Sequence, residues 1–160
     1  MLDLACGHGL LAHLMLLLDD SSPDALAVDT RLPPSALILQ QALVNAWPRL
    51  KGRIELRAGR LEDVAAREGD LLVSAHACGA LTDQVLAAAV AARARVAVLP
   101  CCHDEVTCDA GGLRGWLDVP TAIDATRVAV LRAAKYAVYT QTIPVEITPK
   151  NRLLLGEPAQ

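Results

Sequence analysis

The chain has 160 residues, enough for one domain that buries roughly two-thirds of the surface its unfolded form exposes. With 53% hydrophobic and 21% charged residues it is not a disordered chain, and a net charge of −3 lacks the basic footprint of an autonomous nucleic-acid binder. There is no Phe and there are only two Trp and two Tyr, so the core must be built from Leu, Val and Ala, and the composition argues against binding of single strands by base stacking.

Residues 1–5 read as a first strand, followed by a glycine turn and a helix over Leu10–Leu18. Ala25–Asp29 is a second strand. Pro33 and Pro34 open a helix that runs to about Trp47, with Leu37, Leu39, Leu43 and Val44 as its apolar positions. Ile54–Ala58 is a third strand and residues 62–67 a short helix. A fourth strand over residues 71–75 leads to a helix near residues 81–93, and residues 96–99 form a fifth strand whose continuous apolar character suits burial on both faces. After a loop rich in Gly and Asp (residues 100–120) comes a helix over residues 121–134. Two more strands, about 137–143 and 152–155, flank the turn Thr148-Pro149-Lys150-Asn151 and must pair antiparallel. Short apolar runs alternating with helical stretches imply an α/β chain with a mainly parallel sheet.

No stretch reads as a signal peptide or a membrane span, and no membrane partner is expected. The apolar run Leu10–Leu18 is too short, is interrupted by His13 and ends in Asp19-Asp20. Five cysteines, an odd number, are expected to be reduced thiols in a cytoplasm. Arg127, Arg132, Lys135, Lys150 and Arg152 cluster in the last third and read as a solvated face.

The strongest motif is Leu2-Asp3-Leu4-Ala5-Cys6-Gly7-His8-Gly9-Leu10, a strand running into a Gly-containing turn and a helix. Small residues let a ligand approach the backbone, and the helix start offers free N–H groups. A dinucleotide fingerprint would have a glycine in place of Ala5 and another in place of Leu11, which disfavours a nicotinamide-dependent oxidoreductase. Asp29 ends the second strand twenty residues beyond Gly9, where a carboxylate can accept both hydroxyls of a ribose.

These residues resemble motif I of the class I S-adenosylmethionine-dependent methyltransferases. The resemblance implies a Rossmann-like methyltransferase fold, with strand order 3-2-1-4-5-7-6 and a terminal antiparallel hairpin, over a single domain 1–160. It implies S-adenosylmethionine as cofactor, S-adenosylhomocysteine as product and no metal. Asp3, Ala5, Cys6, Gly7 and Gly9 would seat the methionine moiety and Asp29 the ribose. Arg60, Leu61 and Glu62 occupy the adenine stretch, with Arg60 where the family has an acid, and Ala75 completes the cofactor set. Relatives usually carry a helix before the first strand, whereas the first strand starts at residue 1 here, so either the chain is truncated or another domain, a partner subunit or a dimer is expected to cover the cofactor.

Two further segments, His76-x-Cys78-Gly79-x-x-Thr82-Asp83 and Cys101-Cys102-His103, follow strands four and five. With the closing Ile147-Thr148-Pro149-Lys150-Asn151-Arg152-Leu153-Leu154 they resemble the eukaryotic transfer-RNA 2′-O-methyltransferases and their methyltransferase-like relatives. RNA as acceptor is suggested by that resemblance alone. Both loops are expected to face the sulfonium methyl. His76 and His103 could orient an acceptor or remove its proton, with His76 the first choice. Cys78 and Cys102 could act covalently, which requires a thiolate. His76, Cys78, Cys102 and His103 could bind zinc, or all four could be packing residues. A non-catalytic methyltransferase-fold partner subunit is the alternative to an enzyme.

Overall fold

The computed structural model describes residues 1–159 and divides into two units, Met1–Ala65 and the residues from Ala66 onward. In the first unit β1 (Leu2–Leu4), β2 (Ala25–Asp29) and β3 (Ile54–Ala58) alternate with α1 (Leu10–Leu18) and α2 (Ser35–Ala46). The strands pair in parallel, in the order β3-β2-β1, with Leu2 opposite Leu26 and Ala25 opposite Ile54. In the second unit β4 (Leu71–Ser74), α3 (Ala80–Ala92), β5 (Arg95–Val98), α4 (Val119–Ala133), β6 (Tyr136–Thr142) and β7 (Arg152–Pro158) follow. Their order is β4-β5-β7-β6; β4 and β5 are parallel, and β7 runs antiparallel to both its neighbours. These are the two parts of the expected order 3-2-1-4-5-7-6, in a mainly parallel α/β plan with a terminal hairpin.

The core is aliphatic, as the composition requires. Leu4, Leu16 and Leu50 are fully buried in the first unit, and Leu72, Val85, Val96, Val98, Ile123 and Leu131 in the second. Helix α3 buries Thr82, Val85, Leu86 and Ala89, the i, i+3, i+4, i+7 stripe of an amphipathic helix. Helix α4 buries Ile123, Arg127 and Leu131 at four-residue spacing. Both tryptophans lie outside the core, Trp47 at 46% and Trp116 at 88% exposure. Among the described residues, no helix is long and apolar enough to cross a membrane.

Several details depart from the expectations. The helix anticipated over residues 62–67 is a single 3₁₀ turn, Leu61–Asp63, because Val64 takes an extended backbone (φ −97°, ψ 114°) that ends it. Helix α4 starts two residues early: the Asp118 carboxylate accepts from the Thr121 N–H as an N-cap, and Pro120 fits the first turn. Strand β7 continues to Pro158, paired with Tyr136. Leu37 is 64% exposed rather than core, since α2 packs through Ala36. Arg127 is not on a solvated face at all; it is 2% exposed.

Candidate functional site

In the first unit the chemistry concentrates where β1 and β2 end. The turn from Ala5 to Gly9 keeps a left-handed backbone at Ala5 (φ 58°), Gly7 (φ 55°) and Gly9 (φ 72°). The alanine at the first glycine position of the motif therefore retains a glycine-like conformation, at a cost of roughly 1–2 kcal/mol for a residue bearing a Cβ. Gly9 is required twice over. Its φ is positive, and a Cβ there would come within 2.6 Å of Leu56 Cδ2. A Cβ on Gly7 would meet nothing within 4 Å, so open space lies over that residue.

Asp29 Oδ2 accepts from the Gly7 N–H at 2.9 Å, and Oδ1 accepts from the Arg31 N–H at 3.2 Å, so one carboxylate ties the end of β2 to the glycine turn. Asp3 is 1% exposed, and its Oδ2 accepts from the Ala12 N–H at 3.1 Å. Burial pushes the Asp3 carboxyl up to about 6, with the negative charge of Asp29 adding to the shift. Burial also pushes the Cys6 thiol up to about 12, reinforced by Asp3 and Asp29, and keeps it neutral. The turn thus sits in the negative field of Asp3 and Asp29, which favours a cationic ligand and opposes a pyrophosphate.

His13, noticed in the sequence only as a break in an apolar run, is fully buried, and its Nδ1 lies 2.7 Å from the Gly9 carbonyl. A carbonyl can only accept, so Nδ1 donates and holds the turn. The readable signal was a polar side chain four residues after the second glycine. His8 hydrogen-bonds Ser35 at 2.8 Å. At the end of β3, Arg60 and Glu62 pair with each other at 3.3 Å on the surface, and Leu61 between them is half-buried.

In the second unit the turns after β4 and β5 meet. Gly79 (φ 58°, ψ −132°) takes a conformation that suits glycine, and its N–H donates to the Cys102 carbonyl at 3.2 Å. The Thr82 hydroxyl holds the Ala77 carbonyl. Arg127 then locks the assembly: it donates to both Asp83 oxygens at 2.7 and 3.0 Å, to Asp124 at 3.2 Å and to the Gly79 carbonyl at 3.0 Å. Thr82 and Asp83, the close of the first thiol motif, are accordingly fastenings of the turn. A basic residue spaced 44 positions from its partner Asp83 gave no sequence signal.

Cys78 and Cys102 do come together, with their Sγ atoms 3.4 Å apart, but the sulfur nearest Cys78 belongs to Cys101, at 3.1 Å. Cys101 was not among the expected site residues. A hydrogen bond with Cys101, followed by partial burial, pushes the Cys78 thiol up to about 12. Covalent attack by Cys78 therefore needs its proton removed first.

The two histidines do not join the thiols. His76 is exposed and has no hydrogen-bond partner among the described residues, and Ala75 beside it is half-buried. The His103 side chain is 4% exposed, and its Nε2 lies 2.9 Å from Asp124 Oδ1. Asp124 also accepts from Arg127 and, at 2.7 Å, from Arg152. A carboxylate between two guanidiniums accepts, so His103 donates from Nε2, and in the neutral ring Nδ1 is then the acceptor. That Nδ1 is buried without a partner, as is the hydroxyl of Ser74 at the end of β4. Unsatisfied buried polar atoms are rare; Ser74 ends β4 and His103 lies in the loop that follows the adjacent β5, the side on which ligands of parallel sheets bind. His103 lines a cavity of about 190 Å³ together with Lys150, Asn151 and Arg152, and a second cavity of about 390 Å³ lies between α4 and the β6–β7 hairpin.

A methyltransferase domain family matches residues 1–109, two-thirds of the chain and the whole stretch from the glycine turn through the thiol turns. The chain belongs to this family. No curated protein matches it. Among solved structures, the methyltransferase domain is similar to the B. subtilis m1A22 tRNA methyltransferase TrmK, with 19% identity, a TM-score of 0.59, and coverage of 100% of this chain and 60% of that one. It is also similar to a ribosomal protein L11 methylase of Lactobacillus delbrueckii subsp. bulgaricus (13% identity, TM-score 0.60, 99% and 69% covered). A SAM-dependent methyltransferase of Aquifex aeolicus shares 15% identity at a TM-score of 0.57, with 97% and 79% covered. At such identities the likeness speaks for the fold. The chain spans about 60% of the length of TrmK.

Proposed function

We propose that this methyltransferase domain binds S-adenosylmethionine and transfers its methyl group to RNA. The observation that carries the cofactor reading is the glycine turn flanked by two carboxylates. S-adenosylmethionine is cationic at its amino group and at its sulfonium, so the negative field at Asp3 and Asp29 suits it, whereas the pyrophosphate of NAD would be repelled. The residues present fit the group. The space over Gly7 would admit the methionine moiety, Asp29 has lone pairs left that would accept from the ribose hydroxyls, and Leu61 would lie in the adenine stretch. Asp3, being 1% exposed, acts through its field and by holding α1 rather than by open contact.

Bound, the cofactor supplies an activated methyl on sulfur and leaves as S-adenosylhomocysteine. The chain's own contribution to the acceptor is then position and proton removal. His103 is better supported as the base than His76: Asp124 fixes its ring through Nε2, and its Nδ1 has no partner among the described residues. RNA as the acceptor class rests on the resemblance of the two thiol motifs and of the Ile147–Leu154 segment to transfer-RNA methyltransferases. The TrmK likeness agrees with it and the L11 methylase likeness does not distinguish it.

Calorimetry against S-adenosylmethionine, S-adenosylhomocysteine and NAD tests the cofactor. Binding of the two sulfur compounds and none of NAD is expected; the reverse pattern ends the proposal. Transfer of labelled methyl to RNA and protein pools then tests the acceptor, and His103→Ala should lower transfer by about 10²–10⁴-fold with cofactor affinity unchanged. One observation favours a non-catalytic partner subunit: Arg60 and Glu62 bond each other in the adenine stretch. Cofactor binding without transfer to any pool would decide for that reading.

A further inference from the structure

Cys78, Cys101 and Cys102 bring three sulfurs together at separations of 3.1, 3.4 and 3.7 Å, and all three ligand atoms lie within 4.8 Å of one another. Thiols are weak hydrogen-bond donors, so mutual S–H contacts contribute little to holding them there. What holds them is backbone: the Gly79 N–H on the Cys102 carbonyl, the Thr82 hydroxyl on the Ala77 carbonyl and Arg127 on the Gly79 carbonyl. None of these fastenings uses a sulfur.

A tetrahedral zinc ion with Zn–S bonds of about 2.3 Å sets its sulfurs about 3.8 Å apart. The Cys101–Cys102 separation is close to that edge length and the other two fall short of it by about 0.4 and 0.7 Å, so a cation is accommodated by spreading the sulfurs by up to about 0.7 Å. Thiolates are soft ligands and select zinc over magnesium or calcium. His103 is outside the cluster: among the described residues, the ligand atoms that lie within 4.8 Å of one another are the three sulfurs of Cys78, Cys101 and Cys102. Cys78 and Cys102 are solvent-exposed, so the fourth position opens outward, the arrangement of exchangeable rather than purely structural zinc sites.

We propose that Cys78, Cys101 and Cys102 form a three-thiolate zinc site whose fourth position takes water or an external thiolate. This replaces both the expectation of no metal and the zinc set His76, Cys78, Cys102 and His103. On binding, each of the three thiols gives its proton to the buffer and three Zn–S bonds form.

The test uses the reduced, metal-stripped chain, titrated with Zn²⁺ against a chromophoric chelator and with Co²⁺ as an optical probe. One Zn²⁺ per chain and a tetrahedral Co²⁺ spectrum with thiolate-to-metal charge transfer are expected. A small added thiol should change the charge-transfer intensity. Cys78→Ser, Cys101→Ser and Cys102→Ser should each weaken Zn²⁺ binding about a hundredfold or more, while Cys6→Ala leaves it unchanged. Circular dichroism checks that the variants fold, and the wild-type Co²⁺ spectrum stands independently of them. An octahedral, thiolate-free spectrum, unweakened binding by Cys101→Ser, indifference to added thiol, or failure of the reduced chain to bind zinc would each overturn the site.

Discussion

Asp3 shows how one side chain can cost stability while serving a ligand. Its carboxyl is raised from the usual 3.8 to about 6, so the folded chain holds that proton more tightly than the unfolded chain does. The stability this group contributes is complete below about pH 4 and is lost as pH rises through about 6, in total up to about 3 kcal/mol. Asp3→Asn should therefore raise the urea midpoint above about pH 7 and leave it unchanged near pH 4. The same substitution should weaken S-adenosylmethionine binding, and wild-type affinity should strengthen as pH rises through about 6 and Asp3 ionises. A variant no more stable than wild type at neutral pH would show that the buried charge is offset elsewhere. At this scale the sequence was half legible. Asp3, Gly7, Gly9 and Asp29 stood out because a turn needs small residues and carboxylates at set distances. Ala5 read as a departure, yet its φ of 58° preserves the turn. Cys101 and Arg127 were missed: what they do depends on loops brought together by the fold, which local pattern does not encode.

Among the elements, the terminal hairpin carries the least slack. A Cβ on Gly156 in β7 would lie 3.1 Å from Tyr136, 3.2 Å from Leu131 and 3.3 Å from Val96. Tyr136 cannot give way, since its hydroxyl is 2.8 Å from the Ala89 carbonyl and 2.9 Å from that of Ala94; Leu131 and Val96 are fully buried. Gly156→Ala should cost about 1–3 kcal/mol by overpacking, measured as a shift in urea midpoint; a neutral result would mean that β7 shifts along β5. The strands were legible because continuous apolar runs bounded by turn residues admit few alternatives. The stretch after β3 was not, since Glu62 and Asp63 resemble the start of a helix whether or not one continues.

For the molecule as a whole, a ligand that binds only the folded chain stabilises it by mass action. S-adenosylmethionine at a hundred times its dissociation constant should add about 2.7 kcal/mol and raise the melting temperature by about 5–10 °C. S-adenosylhomocysteine should act likewise and NAD should not. A melting temperature indifferent to both sulfur compounds would contradict the proposed cofactor. How that transition is followed is decided by where the two indoles sit. With Trp116 at 88% and Trp47 at 46% exposure, much of the protein's ultraviolet emission already arises from rings open to water, so denaturation will redden it only modestly. The melt has to be read from helix ellipticity. By the same token, Trp116 is a built-in fluorophore on the loop between β5 and α4, one that will dim or shift if an acceptor settles on that loop while the rest of the fold stays unchanged.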